Sequence, residues 1–172
     1  MFANEILIPK DRVAVLVGTK GAMKRRIQKE AHVILDISRE GDVLISSDDN
    51  LDVFIATNIV KAIGRGFNPE IALNLVKDNF AVEFINIKEF TRDTKKDLER
   101  VKARLIGTKG KAWQTIENLT GCKLAVYGKT VAIIGDVEDI LLAKEAVVKL
   151  LSGSVHGNVY GYVERTRKKN RN

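Results

Sequence analysis

Apolar positions along the chain fall into short runs whose period switches between two and about 3.6, and the switches come in the same order twice. Glu5 to Pro9 reads as a short strand stopped by its proline. Asp11 is placed to cap a short helix that ends at Val17. Met23, Ile27 and Ala31 recur at i, i+4 and i+8, which predicts a helix over residues 22–31. The β-rich runs Val33 to Ser38 and Val43 to Ser46 flank the turn "REGD" and predict a hairpin. Asp48 or Asp49 then caps a long helix carrying Val53, Ile59, Val60 and Ile63, which stops near Gly64 and Gly66.

A segment with its own start signals follows. Asn68 stands as a cap, Pro69 occupies the first helical position, and Ile71, Leu75 and Val76 form an apolar stripe. Its composition is not that of a Gly/Ser tether, so it is expected to pack. The order of elements then repeats. Phe80 to Phe90 reads as a strand, and Asp93 or Thr94 caps a helix that runs to Ile106. Lys111 to Thr120 forms a helix with Trp113, Ile116 and Leu119 on its apolar face, ended by Gly121. Cys122 to Tyr127 and Thr130 to Ile134 make a second hairpin around Gly128 and Lys129. Asp136 caps a last helix carrying Ile140, Leu141, Ala143, Val147, Val148 and Leu151. Strand, helix, loop, helix, strand, strand, helix therefore occurs twice.

The loop between the first two helices is the same in both rounds. "LVGTKGAMKRRIQ" begins at Leu16 and "LIGTKGKAWQTIE" at Leu105. A helix N-terminus offers free N–H groups and a partial positive charge, which suits an anion. Glycine lets a phosphate come close to the main chain. Lysine adds a compact cation and threonine a hydroxyl. Gly18, Thr19, Lys20 and Gly21, with Lys24, Arg25 and Arg26 behind them, are one candidate phosphate site. Gly107, Thr108, Lys109, Gly110 and Lys111 are the other. A nucleotide P-loop is excluded, because no glycine stands five positions before Gly110 and Ala112 follows the lysine. Neither loop has the Gly-x-Gly-x-x-Gly dinucleotide pattern.

Charge points the same way. The 172 residues carry 29 Lys and Arg against 22 Asp and Glu, a formal net charge of +7, which favours an acidic partner such as nucleic acid. Cys122 is the only cysteine, so neither an internal disulfide nor a cysteine-rich zinc site can form. No N-terminal signal pattern or bilayer-length apolar run is present, and a soluble cytoplasmic protein with no membrane partner is expected.

These loops and their surroundings resemble the KH family of RNA-binding domains, in its eukaryotic-type element order. The second half matches through "LIGTKGKAWQTIENLTGCKLAVYG". The first matches through "LVGTKG" and Ile27, and departs at Lys24, where an apolar residue is usual, and at His32, where glycine is usual. The resemblance implies an α+β fold of two tandem type I KH domains, each a three-stranded sheet packed on three helices. They would span residues 1–67 and 80–152, joined by a helical connector over 68–79 and followed by a Gly-rich extension and basic tail over 153–172.

In the family, the glycine loop clamps the backbone of unpaired nucleotides and an apolar groove receives the bases. By that resemblance Ile106, Ile116, Leu124 and Val126 would line the second groove, and Val17, Ile27 and Leu35 the first. Backbone groups of Leu124 to Val126 would read base edges. Over residues 5–164 the arrangement also resembles archaeal small-subunit ribosome-assembly factors, relatives of the eukaryotic partner-of-Nob protein. This implies binding of single-stranded small-subunit rRNA, or its precursor, near the 3′ end, with an rRNA-processing endonuclease or dimethylase as protein partners and no cofactor. The alternative is a KH-type scaffold subunit of an RNA-degrading or translation-associated complex.

The remaining polar clusters have structural explanations. Asp48, Asp49 and Asp52, like Asp136, Glu138 and Asp139, stand where helices begin, so capping accounts for them better than magnesium binding. No catalytic nucleophile–base–acid set stands out, which counts against a nuclease. His32 and His156 have no metal-ligand neighbours, and the spacing of Trp113 favours packing over base stacking. Lys95, Lys96, Arg100, Lys102 and Arg104 form a basic run before the second loop that suits RNA. The tail from Arg165 to Asn172 is expected to be disordered and to add nonspecific attraction for RNA.

Overall fold

The computed structural model describes residues 1–92 and 94–172. They divide into two compact units, Met1–Phe80 and Ala81–Asn172. The first contains β1 (Phe2–Leu7), α1 (Val13–Val17), α2 (Ala22–Ala31), β2 (Ile34–Ile37), β3 (Asp42–Ser47), α3 (Asn50–Gly64) and α4 (Pro69–Ala72). Its sheet has the order β1-β3-β2 and is antiparallel, with Phe2 opposite Ser47, Leu7 opposite Asp42 and Ile34 opposite Ser46. β1 begins three residues earlier than its apolar run, because the ladder to β3 continues through Ala3 and Asn4. Asp11 lies in a 3₁₀ turn (Lys10–Arg12), and Arg12 occupies the N-cap position of α1.

Leu16, Ile27, Leu35, Val43, Ile45, Ile59, Val60 and Ile63 are fully or almost fully buried between the sheet and its helices. Side chains of this size each contribute about 2 kcal/mol when removed from water. Asp49 caps α3 by accepting the Leu51 amide at 2.8 Å. Asn68 caps α4 by accepting the Glu70 amide at 2.8 Å. Residues 68–79 belong to the first unit, and Ala72, Leu73 and Leu75 are their buried positions. A 3₁₀ turn at Leu73–Val76 shifts the buried stripe away from Ile71 and Val76, which are only partly covered.

The second unit contains β4 (Phe80–Asn86), α5 (Lys95–Ile106), α6 (Lys111–Thr120), β5 (Lys123–Tyr127), β6 (Thr130–Asp136), α7 (Ile140–Leu151) and α8 (His156–Arg171). Its sheet order is β4-β6-β5, the same topology as in the first unit. β4 gives way to a 3₁₀ turn at Ile87–Phe90, where the Asn86 side chain accepts the Lys88 amide and stops the strand. Thr94 caps α5 through its hydroxyl oxygen, which accepts the Asp97 amide at 3.1 Å; Asp93 lies outside the described residues. Asp136 does not cap α7. Its carboxylate accepts the Glu138 amide in the turn, and Asp139 stands at the N-cap position.

The tail is the main departure from expectation. Residues 156–171 form α8, which buries Val159 and Val163 in the core of the second unit. Arg167 ties its end down, donating to Asp139 at 3.2 Å and to the Leu119 carbonyl at 2.9 Å. Arg171 adds an ion pair to the same carboxylate at 3.5 Å. Among the described residues, no helix is long and apolar enough to cross a membrane.

Candidate nucleic-acid interface

The two glycine loops have the same backbone. Gly18 and Gly107 lie at φ/ψ 75/175° and 74/175°, Lys20 and Lys109 at 53/31° and 54/31°, and Gly21 and Gly110 at 75/13° and 74/14°. Each loop is closed by the same hydrogen bond, Gly21 N–H to the Gly18 carbonyl and Gly110 N–H to the Gly107 carbonyl, both 3.2 Å. The first glycine is required by close packing. A Cβ on Gly18 would stand 2.7 Å from Met23 Cβ, and one on Gly107 would stand 2.7 Å from Ala112 Cβ. The following helix therefore starts directly against the loop, with its first-turn amides beside Thr19 and Lys20, or Thr108 and Lys109, all exposed.

The two loops differ in what lies over them. In the first, Arg25 Nη1 donates to the Lys20 carbonyl at 2.8 Å, and a Cβ on Gly21 would meet that guanidinium at 3.0 Å. Arg26 is paired with Glu30 and Glu70, whose carboxylates raise its pKa further. Lys24 is half-buried. In the second loop nothing stands within 4 Å of the corresponding position on Gly110, and Lys109 and Lys111 are exposed.

Beside the second loop is an open groove of about 430 Å³, lined by Ile106, Gly110, Trp113, Gln114, Glu117 and Val126. Of the groove residues expected from sequence, Ile106 and Val126 form its wall. Ile116 and Leu124 do not: they are 0% and 5% exposed and lie in the core below. The corresponding Ile27 and Leu35 of the first unit are also core, while Val17 is half-buried. Trp113 is both partly packed on the core and part of the groove surface.

Sequence reasoning missed Gln114 and Glu117, whose only signal was their place on the helix face that carries Trp113. Glu117 Oε2 accepts the Leu124 amide at 2.9 Å, tying α6 to the free edge of β5. That bond occupies one edge group of β5. The strand's alternation leaves the Leu124 carbonyl and the N–H and carbonyl of Val126 facing away from β6.

The basic run before this loop is partly committed elsewhere. Arg104 donates to the Leu150 and Ser154 carbonyls at 3.1 and 2.7 Å and closes the end of α7. His156 Nε2 meets the Arg104 carbonyl at 2.8 Å. Arg100 pairs with Asp97, whose carboxyl is held below its usual range by the Arg92 amide and then by Arg100. Among the described residues, Lys95, Lys96 and Lys102 form no ion pair. Among the described residues, no three His, Cys, Asp or Glu side chains gather closely enough to hold a metal ion.

Two three-stranded sheets of this topology, each with a Gly-Thr-Lys-Gly loop between its first two helices, define a tandem KH protein. Residues 81–168 match the eukaryotic-type KH domain (KH-domain type I), and residues 4–62 match the KH domain. The chain belongs to the type I KH family, among the two-KH proteins homologous to the PNO1/Dim2 factors. It is 49% identical over 170 residues to a KH domain-containing protein of Methanocaldococcus jannaschii, covering 96% of this chain and 74% of that one. It is 35% identical over 105 residues to the pre-rRNA-processing protein PNO1 of Candida albicans, covering 60% of this chain but only 38% of that protein. A chain in the crystal structure of the a/eIF2α–aDim2p–rRNA complex of Pyrococcus horikoshii matches with a TM-score of 0.89 and 44% identity, over 98% of this chain and 95% of that one.

Proposed function

We propose that this protein is a non-catalytic RNA-binding factor of ribosome biogenesis, acting in the cytoplasm. It holds single-stranded small-subunit rRNA or its precursor near the 3′ end. The second glycine loop is the principal clamp, contacting phosphates through Gly107 to Lys111. Bases enter the groove bounded by Ile106, Trp113 and Val126, where the free edge of β5 offers Val126 and the Leu124 carbonyl. One observation carries this reading: the two loops share one backbone, and where Arg25 lies over Gly21 in the first, Gly110 in the second is uncovered and borders an apolar groove. The first loop, bridged by Arg25, contributes less.

The relatives supply the target. The fungal protein is named for pre-rRNA processing, and the archaeal neighbour was crystallised with rRNA and an initiation-factor subunit. The corresponding partners proposed here are rRNA, an initiation-factor α subunit, and an rRNA-processing endonuclease or dimethylase. Filter binding with a single-stranded oligonucleotide of the rRNA 3′ end tests the proposal. Wild type should bind and Gly110→Asp should bind weakly. The double variant Gly21→Asp, Gly110→Asp should bind hardly at all while its thermal melt stays cooperative. Undiminished binding by the folded double variant would refute the loop assignment. Cleavage of the oligonucleotide in magnesium would refute the non-catalytic one.

A further inference from the structure

One end of the first unit has the opposite character to an RNA surface. Residues 1–9 and 42–60 contain no lysine or arginine, although the chain carries 29. These segments are neighbours in the fold, since β1 pairs with β3 and Asn4 Nδ2 donates to Thr57 of α3 at 3.2 Å. Phe2 lies on the same face of β1 as Asn4, two residues nearer the start of α3. Phe54 lies three residues before Thr57, and Leu51 three before that. Phe2, Leu51 and Phe54 are 49%, 60% and 62% exposed. Asp48, Asp49 and Asp52 stand beside Leu51 and Phe54 at the start of α3, the first two exposed and the third half-buried.

Solvent-exposed aromatic and leucine side chains grouped in this way mark a contact surface. The carboxylates select the occupant. A polynucleotide would be repelled. A second copy would bring its own three carboxylates against these, and such like-charge juxtaposition disfavours association. A chain with cations between apolar residues satisfies both features. We propose that the end of the first KH domain formed by Phe2, Leu51 and Phe54 within Asp48, Asp49 and Asp52 docks a basic amphipathic segment of a protein partner. RNA and protein would then be held by different surfaces.

The test is an NMR titration of the isotope-labelled full chain with three probes: a short peptide alternating lysine and leucine, its glutamate–leucine counterpart, and a single-stranded oligonucleotide. The lysine–leucine peptide should shift the amides of Phe2, Leu51 and Phe54, with an affinity that falls as salt rises. Phe54→Ala, and separately the pair Asp48→Lys, Asp52→Lys, should weaken it by about tenfold or more while RNA binding is retained. Should Phe54→Ala lose its cooperative melt, Leu51→Ser replaces it. The oligonucleotide should shift residues 107–111 and leave this end unmoved. The proposal is overturned if the peptide's shifts map elsewhere or the glutamate–leucine peptide binds as well. It is equally overturned if the oligonucleotide shifts this end, or if its amides move with protein concentration alone, which would assign the surface to a second copy.

Discussion

Glu117 and Leu124 are joined by a hydrogen bond of 2.9 Å from the strand amide to the helix carboxylate, and the first domain repeats it with an amide side chain, Gln28 accepting from Leu35 at 2.9 Å. In both domains seven residues separate the partners. The bond ties the second helix to the edge strand and so fixes the spacing across the groove between them. Replacing the carboxylate by an amide keeps an acceptor and removes a negative charge from the groove proposed to receive RNA. Glu117→Gln should therefore raise single-stranded RNA affinity by about threefold at low salt, with the gain shrinking as salt rises. Glu117→Ala removes the acceptor and should cost about 1–2 kcal/mol of stability. Fluorescence anisotropy and urea unfolding measure the two effects. Unchanged affinity for Glu117→Gln would place the RNA away from this groove.

Lys109 combines a charge with a left-handed backbone at φ 54°, so its role is tested by a residue that tolerates that conformation. Lys109→Asn should leave folding intact and weaken binding about fivefold. It should also flatten the dependence of log affinity on log salt by about 0.7, the share of one phosphate contact on a single strand. Lys20→Asn in the bridged first loop should change affinity by less than about twofold. Equal losses at the two lysines would mean that both loops clamp RNA alike.

His32 is the first domain's counterpart of Gly121. Both follow the second helix in the left-handed region, at φ 58° and 73°. A side chain with a Cβ is strained there by about 1 kcal/mol. His32→Gly should raise the urea midpoint, corresponding to a gain of about 1 kcal/mol less the larger freedom that glycine has in the unfolded chain. A lowered midpoint would mean that glycine's freedom in the unfolded chain, together with any contact of the imidazole, outweighs the backbone strain.

What could be read from the sequence was local. The loops were legible because four identical residues recur at equivalent places. Asn68 was legible, and the other two caps were legible to within one residue (Asp48 or Asp49, Asp93 or Thr94), because a cap bonds to an amide only two or three residues away. Ile116 and Leu124 were misplaced because apolar character cannot separate a groove wall from the core beneath it. Glu117 could not be read because its partner lies across the groove on another element. The last helix was missed because Val159 and Val163 are its only fully buried side chains in a polar stretch, and Asp139, which holds its end, lies far back in the chain. Arg104 looked like part of a basic surface for the same reason: the carbonyls it closes belong to residues 150 and 154.

Cys122 gives the protein a predictable weakness in alkali. The thiol is 1% exposed and packed against Gly135, where an added Cβ would stand 2.3 Å from Sγ. Burial pushes its pKa up from 9.0 to about 11. The folded state therefore keeps the proton over a range in which the unfolded chain releases it. Stability is complete below pH 9 and falls as pH rises toward 11, by about 2–3 kcal/mol in total at about 1.4 kcal/mol per pH unit. Cys122→Ala lacks this loss, so urea unfolding of the two proteins at pH 8 and near pH 11 should show wild type losing that much more than the variant. The shielded thiol should also resist a disulfide reagent at pH 8 until the protein unfolds. Rapid labelling of the native protein, or equal alkaline losses in the two proteins, would show that water reaches the sulfur and that the contact with Gly135 is open in solution.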